Sequence, residues 1–139
     1  MRRLFDAGGH TWSASIGLLL LRLATGGFMA YQHGYGKWLL WSRPGAVGFA
    51  DPLGVGPKVS LALAIFGELV CGALILLGLG TRVAALPAAI TMGVAAFVVH
   101  GDDLFGEGEL ALLYLTGYLV LIATGAGRLS MDAIIRRNG

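Results

Sequence analysis

The chain has 139 residues and a formal charge of +2; 56% of its residues are hydrophobic, 13% are charged, and the mean hydropathy is +0.76. Soluble domains average about 25% charged residues, so this chain has too little polar surface to coat a soluble globule, and an integral membrane protein is expected. No basic run tracks a phosphate backbone, which argues against nucleic acid as a partner, and the single Cys71 excludes an internal disulfide, a Cys-x-x-Cys redox pair and a Cys-ligated iron–sulfur cluster within this chain.

A short polar lead with Arg2, Arg3, Asp6 and His10 precedes the first apolar run, which spans about residues 13–36 and holds Arg22, Gln32 and His33. The run is too long for a cleaved signal peptide and no small-x-small site ends it. Residues 36–58 read as a loop broken by Pro44, Pro52 and Pro57, with Trp38 and Trp41 suited to the headgroup zone. The second run, about 59–79, contains Glu68. A tight turn at Gly78–Thr81 follows, with Gly80 expected as the residue that ends the second helix and Thr81 as the cap of the third. The third run covers about 82–99, with Pro87 expected to loosen its first turns. An acidic loop from His100 to Glu107 leads to the fourth run, about 109–126. Ser130 and Asp132 then open a short amphipathic helix, about 130–137, expected to lie in the membrane interface.

Each run is roughly 18–23 residues, enough to span a bilayer at 1.5 Å per residue. The expected fold is therefore all-α: a single-domain integral membrane four-helix bundle with a C-terminal interfacial helix. Gly contributes 23 of 139 residues without a collagen period, which points to close helix packing in lipid and allows a homo-oligomer. Four spans place both termini on one side. Arg2, Arg3, Arg82, Arg128, Arg136 and Arg137 lie there, against Lys37, Arg43 and Lys58 opposite, so cytoplasmic termini are expected.

Glu68 is the residue the rest of the chain must accommodate. A charge at that depth costs several kcal/mol unless paired, hydrated or protonated. With helix one starting near Ser13 and helix two near Val59, Arg22 and Glu68 both fall about 13 Å along their axes. An Arg22–Glu68 ion pair at the midplane is the expectation, either fixing helix register or forming a polar ligand pocket. His33, Lys37, His100, Glu107 and Glu109 are expected to gather above it in one outer cluster. Two His and two Glu invite a metal reading, although their spacing matches no metal motif; otherwise they mark the wet ends of the helices or form the mouth of a polar-substrate site. Tyr114 and Tyr118 share a face of helix four, with packing as their simplest role.

Taken together, Leu20–Ala24 with Arg22, His33-Gly34 with Lys37, Gly67-Glu68-Leu69-Val70 with Gly72, Leu77–Arg82, His100, Gly106–Tyr114 and Gly127–Asp132 resemble the DoxX family of small four-helix bacterial membrane proteins. The likeness runs over about residues 14–135. It implies a redox setting, because the family includes small subunits of thiosulfate:quinone oxidoreductase and members linked to oxidative stress and to quinone or catechol detoxification. It also implies a bacterial or archaeal plasma-membrane location and a ligand site drawn from Arg22, His33, Glu68, His100 and Glu109. The chain carries no cofactor motif of its own, so electrons would pass through a membrane quinone or a partner subunit. Two other readings stay open: a scaffold docking soluble redox enzymes through Arg82 and the 128–139 tail, and a proton or small-molecule pathway.

Overall fold

The computed structural model describes residues 11–43, 45 and 48–138. The polar lead and Pro44 lie outside the described residues. Five helices follow in order: α1 Trp12–Trp41, α2 Pro57–Leu77, α3 Thr81–Val99, α4 Glu109–Thr124 and α5 Met131–Asn138. Helices α1, α2 and α3 are long and apolar enough to cross a membrane; α4 is an apolar helix of 16 residues. Among the described residues there is no strand. The exposed surface carries large apolar side chains along α1 to α4, from Ile16 and Leu20 to Ile90, Phe97, Leu113 and Leu119. That is the surface a protein presents when lipid is its solvent.

The helix ends show why the chain turns where it does. Thr11 Oγ1 accepts from the Ala14 amide and caps α1. Pro57 opens α2 at a position where its missing N–H is harmless. Gly78, at φ +71°, ends α2: the Leu79 amide donates to Leu74 O and the Gly78 amide to Ile75 O. Gly78, rather than Gly80, therefore fills the expected terminating position. Helix α3 runs continuously through Pro87. Ser130 Oγ accepts from the Ala133 amide and caps α5 as expected.

Helix α1 departs most from expectation. It does not stop near residue 36 but continues to Trp41 through Gly34 and Gly36, placing Lys37, Trp38 and Trp41 on helix. Burial in a bundle outweighs the weak helix propensity of single glycines. Here the glycines are needed for contact. A Cβ on Gly26 would stand 2.7 Å from Gly72 O and Leu76 N, and one on Gly34 would stand 2.6 Å from Leu69 N and Cα. The α1 and α2 backbones touch, as small-residue faces permit. Where they meet, both helices widen to i→i+5 hydrogen bonding, over Leu23–Gly34 and Phe66–Val70. Such widening is uncommon and concentrates at functional positions.

Helix α3 packs chiefly on α4 and also on α2. Its inner face is almost entirely alanine: Ala84, Ala85, Ala88, Ala89 and Ala96. Around it the core is filled by Leu18, Met29, Cys71, Ile75, Met92, Tyr118 and Leu121.

Candidate functional site

Glu68 lies in the widened turn of α2 and is buried. Its partner is Lys37: Nζ donates to Oε2 at 2.6 Å. Lys37 reaches it because α1 persists beyond residue 36, and because the Gly34–Leu69 contact brings the last turns of α1 over the middle of α2. The Lys37 side chain is 23% exposed and that of Glu68 7%, so the pair runs from the bundle interior toward its rim.

Arg22 does not meet Glu68. It lies beside Gly78, where α2 ends, and Gly78 is ten residues beyond Glu68, or about 15 Å of helix. The expectation assumed that the two helices begin at opposite membrane faces and are of similar length. In fact α1 has 30 residues and α2 has 21. Arg22 is 1% exposed, and its Nη2 donates to Leu129 O. Asp132 supplies the compensating negative charge nearby. The Asp132 carboxylate accepts from the amides of Gly80 at 2.7 Å and Thr81 at 3.1 Å, so it, rather than Thr81, caps α3 from fifty-one residues away. Residues 128–138 are thereby built into the bundle end.

The expected outer cluster divides. His33 meets Tyr114 edge-on, with ring centroids 5.9 Å apart, and Tyr114 stacks on Tyr118 at 6.3 Å. The Tyr118 hydroxyl, fully buried, donates to Thr25 O at 2.9 Å. Glu68 lies within electrostatic reach of Tyr118. His33, Tyr114 and Tyr118 thus form a polar layer between α1 and α4, and Lys37 and Glu68 a pair between α1 and α2. His100 Nδ1 lies 3.4 Å from Glu107 Oε2 in a separate pair, and Glu109 is exposed at the start of α4. Among the described residues no three His, Cys, Asp or Glu side chains converge as a metal site would require.

A crevice of about 170 Å³ adjoins the polar layer, lined by Ala24, Thr25, Phe28, Leu110, Leu113 and Tyr114. Phe28, Leu110 and Leu113 are exposed, so it opens on the lipid-facing flank between α1 and α4. A larger groove of about 510 Å³ on the other flank of α1 is wholly apolar, lined by Leu20, Gly27, Tyr31 and Leu76 among others.

This arrangement of helices and polar residues coincides with a known sequence pattern, that of DoxX, which matches residues 17–101. The chain belongs to the DoxX family. The matched stretch carries α1 to α3 with Arg22, His33, Lys37, Glu68 and His100. Similar chains include two Haemophilus influenzae proteins, each named only "Uncharacterized protein". One is 30% identical over 134 residues, covering 89% of this chain and 86% of the relative. The other is 35% identical over 127 residues, covering 83% and 87%. A Bacillus subtilis protein named "Putative oxidoreductase CatD" is 30% identical over 131 residues, covering 91% of this chain and 95% of its own. No solved structure matches the chain.

The sequence identified His33, Lys37 and Glu68 as polar positions but misassigned their partners. The signal that would have found the pair is the Trp38–Trp41 aromatic band. It marks the outer boundary of α1 several residues past Gly36.

Proposed function

We propose that this DoxX-family protein is the membrane subunit of a quinone-linked oxidoreductase, with the quinone ring held in the α1–α4 crevice against Tyr114. The observation that carries the reading is the half-buried Lys37–Glu68 pair beside the run of His33, Tyr114 and Tyr118. Intramembrane ionisable groups mark proton and substrate paths. The crevice suits the ligand: it is apolar, open to lipid, and has one phenol at its polar edge. Reducing a quinone to a quinol takes two electrons and two protons. The electrons come from a partner subunit; this chain binds the ring and manages the protons. His33 sits at the half-exposed edge of the layer, where it exchanges protons with water. The name of the Bacillus subtilis relative is in keeping with redox work.

In this reading α4 spans as well, and both termini face the cytoplasm, because the arginines collect at the α5 end. Arg22 fixes the α5 end and is no part of the quinone site. The test is quinone binding to purified protein, followed by Tyr fluorescence or calorimetry, with Glu68→Gln, Lys37→Met and Tyr114→Phe. Binding by the parent that weakens at least tenfold in each variant supports the reading. No binding by the parent, or binding indifferent to all three changes, overturns it.

A further inference from the structure

Leu20, Ala24 and Phe28 follow one another on successive turns of α1 and are all exposed. The outer two are large, at 60% and 62% exposure. The alanine between them leaves a notch in the row. On one flank of the row lies the α1–α4 crevice of about 170 Å³, and on the other the apolar groove of about 510 Å³. Ala24 and Phe28 line both cavities, so the two meet at the notch.

The two cavities differ in chemistry. The crevice carries the Tyr114 phenol, whereas the groove runs past Leu20, Leu23, Gly27 and Leu76. Gly27 keeps the groove open: a Cβ there would meet only Leu76 Cδ1, at 3.4 Å. The crevice alone is smaller than the ~300–1,000 Å³ of ordinary ligand sites, and joined to the groove it falls within that range. A polar-edged compartment continuous with a longer apolar one fits a ligand with a ring at one end and a hydrocarbon chain at the other.

We propose that the groove is the tail subsite of the quinone site. The ring lies at Tyr114, and its polyprenyl chain crosses α1 at Ala24, beside Phe28, and runs along Gly27 and Leu76. The inference rests on the quinone reading of the crevice and narrows the substrate class to long-tailed membrane quinones, as against tail-less quinones or catechols. In a bilayer a hydrocarbon chain gains only packing when it leaves the lipid tails. The groove therefore selects this chain over bulk lipid through its tether to a bound ring, which keeps it locally concentrated.

The test uses the full chain in phosphatidylcholine nanodiscs with a polyprenyl benzoquinone that carries a diazirine on its tail. After irradiation, adducts are located by mass spectrometry. They are expected to concentrate on residues 20–31 and Leu76, and excess tail-less tetramethylbenzoquinone should lower them about fivefold by displacing the ring. Gly27→Leu fills the groove and should lower the same adducts to a similar extent. Its calorimetric binding of tetramethylbenzoquinone should stay at the parental level, which also shows that the variant is folded. Tetramethylbenzoquinone that binds while the groove takes no adducts overturns the tail subsite and leaves the quinone reading standing. The same holds for adducts that it does not displace, which mark bulk hydrocarbon, and for adducts undiminished in Gly27→Leu. Binding of neither quinone overturns both.

Discussion

Lys37 and Glu68 stand on different helices, thirty-one residues apart, with Nζ 2.6 Å from Oε2. Each neutralises the other across the α1–α2 contact. Losing one partner of a buried pair strands the other charge, which costs about 3–5 kcal/mol. Lys37 is partly exposed and can turn toward the rim, so Glu68→Gln should lie at the low end of that range. Lys37→Met strands a buried carboxylate and should cost more. The double change should recover most of the loss. Thermal unfolding of the purified single and double variants measures this, and equal, additive losses would show that the two groups do not act as a pair.

The pair depends on how closely α1 and α2 approach. Ala at Gly34 would bring its Cβ onto the Leu69 backbone, which has no flexible end to move aside. Gly34→Ala is expected to destabilise by about 1–3 kcal/mol and to separate Lys37 from Glu68. Gly36→Ala serves as the control, since a Cβ there meets nothing within 4 Å. Comparing the two by unfolding and by quinone binding tests whether helix contact sets the site.

At the other end, Arg22 and Asp132 tie α5 to the α2–α3 turn. Asp132→Ala removes the cap from the Gly80 and Thr81 amides and the countercharge for Arg22. Loss of a cap alone costs about 0.5–2 kcal/mol, and the stranded guanidinium adds to that. Hydrogen exchange should accelerate in residues 129–138 and in the first turn of α3, while Glu68 and Tyr118 keep their protection. Protection unchanged across 129–138 would show that Asp132 is not the anchor.

Asp51 predicts a pH dependence in the loop before α2. Its carboxylate accepts from Ser60 Oγ at 2.7 Å and from the amides of Gly56 and Val55 at 2.8 and 3.0 Å. The Ser60 hydroxyl, ahead of those amides, holds the Asp51 carboxyl below its usual value of 3.8. A lowered folded value means that the folded loop binds fewer protons than the unfolded one. Its contribution is therefore complete above 3.8 and is lost as pH falls through the lowered value. Pepsin cleavage within residues 48–56 should rise over that interval, and Asp51→Ala should be cut readily at every acid pH. Cleavage of the parent that is flat with pH would refute the assignment.

Much of the fold was legible because hydropathy is a local sum. Four apolar runs, and Ser130 with Asp132 at the start of α5, each announce themselves within a few residues, whereas Pro57 read as part of the loop and proved to open α2. His33, Lys37 and Glu68 were equally visible as polar groups in apolar surroundings. Their partners were not, because an ion pair depends on the axial offset between two helices. One helical turn is 5.4 Å, already more than a salt bridge tolerates. The offset here is set by where Gly26 and Gly34 of α1 meet Gly72 and Leu69 of α2, a contact no single segment encodes.

Composition and hydropathy alone therefore determined that this is a helical membrane protein with a carboxylate deep in its second helix. The tertiary structure decided that Lys37, not Arg22, answers that carboxylate. Helix α1 runs 30 residues against 21 for α2, and close glycine contacts fix one against the other. That offset carries Arg22 to the end of the bundle, where Asp132 and Leu129 receive it, and leaves Glu68 facing the last turns of α1.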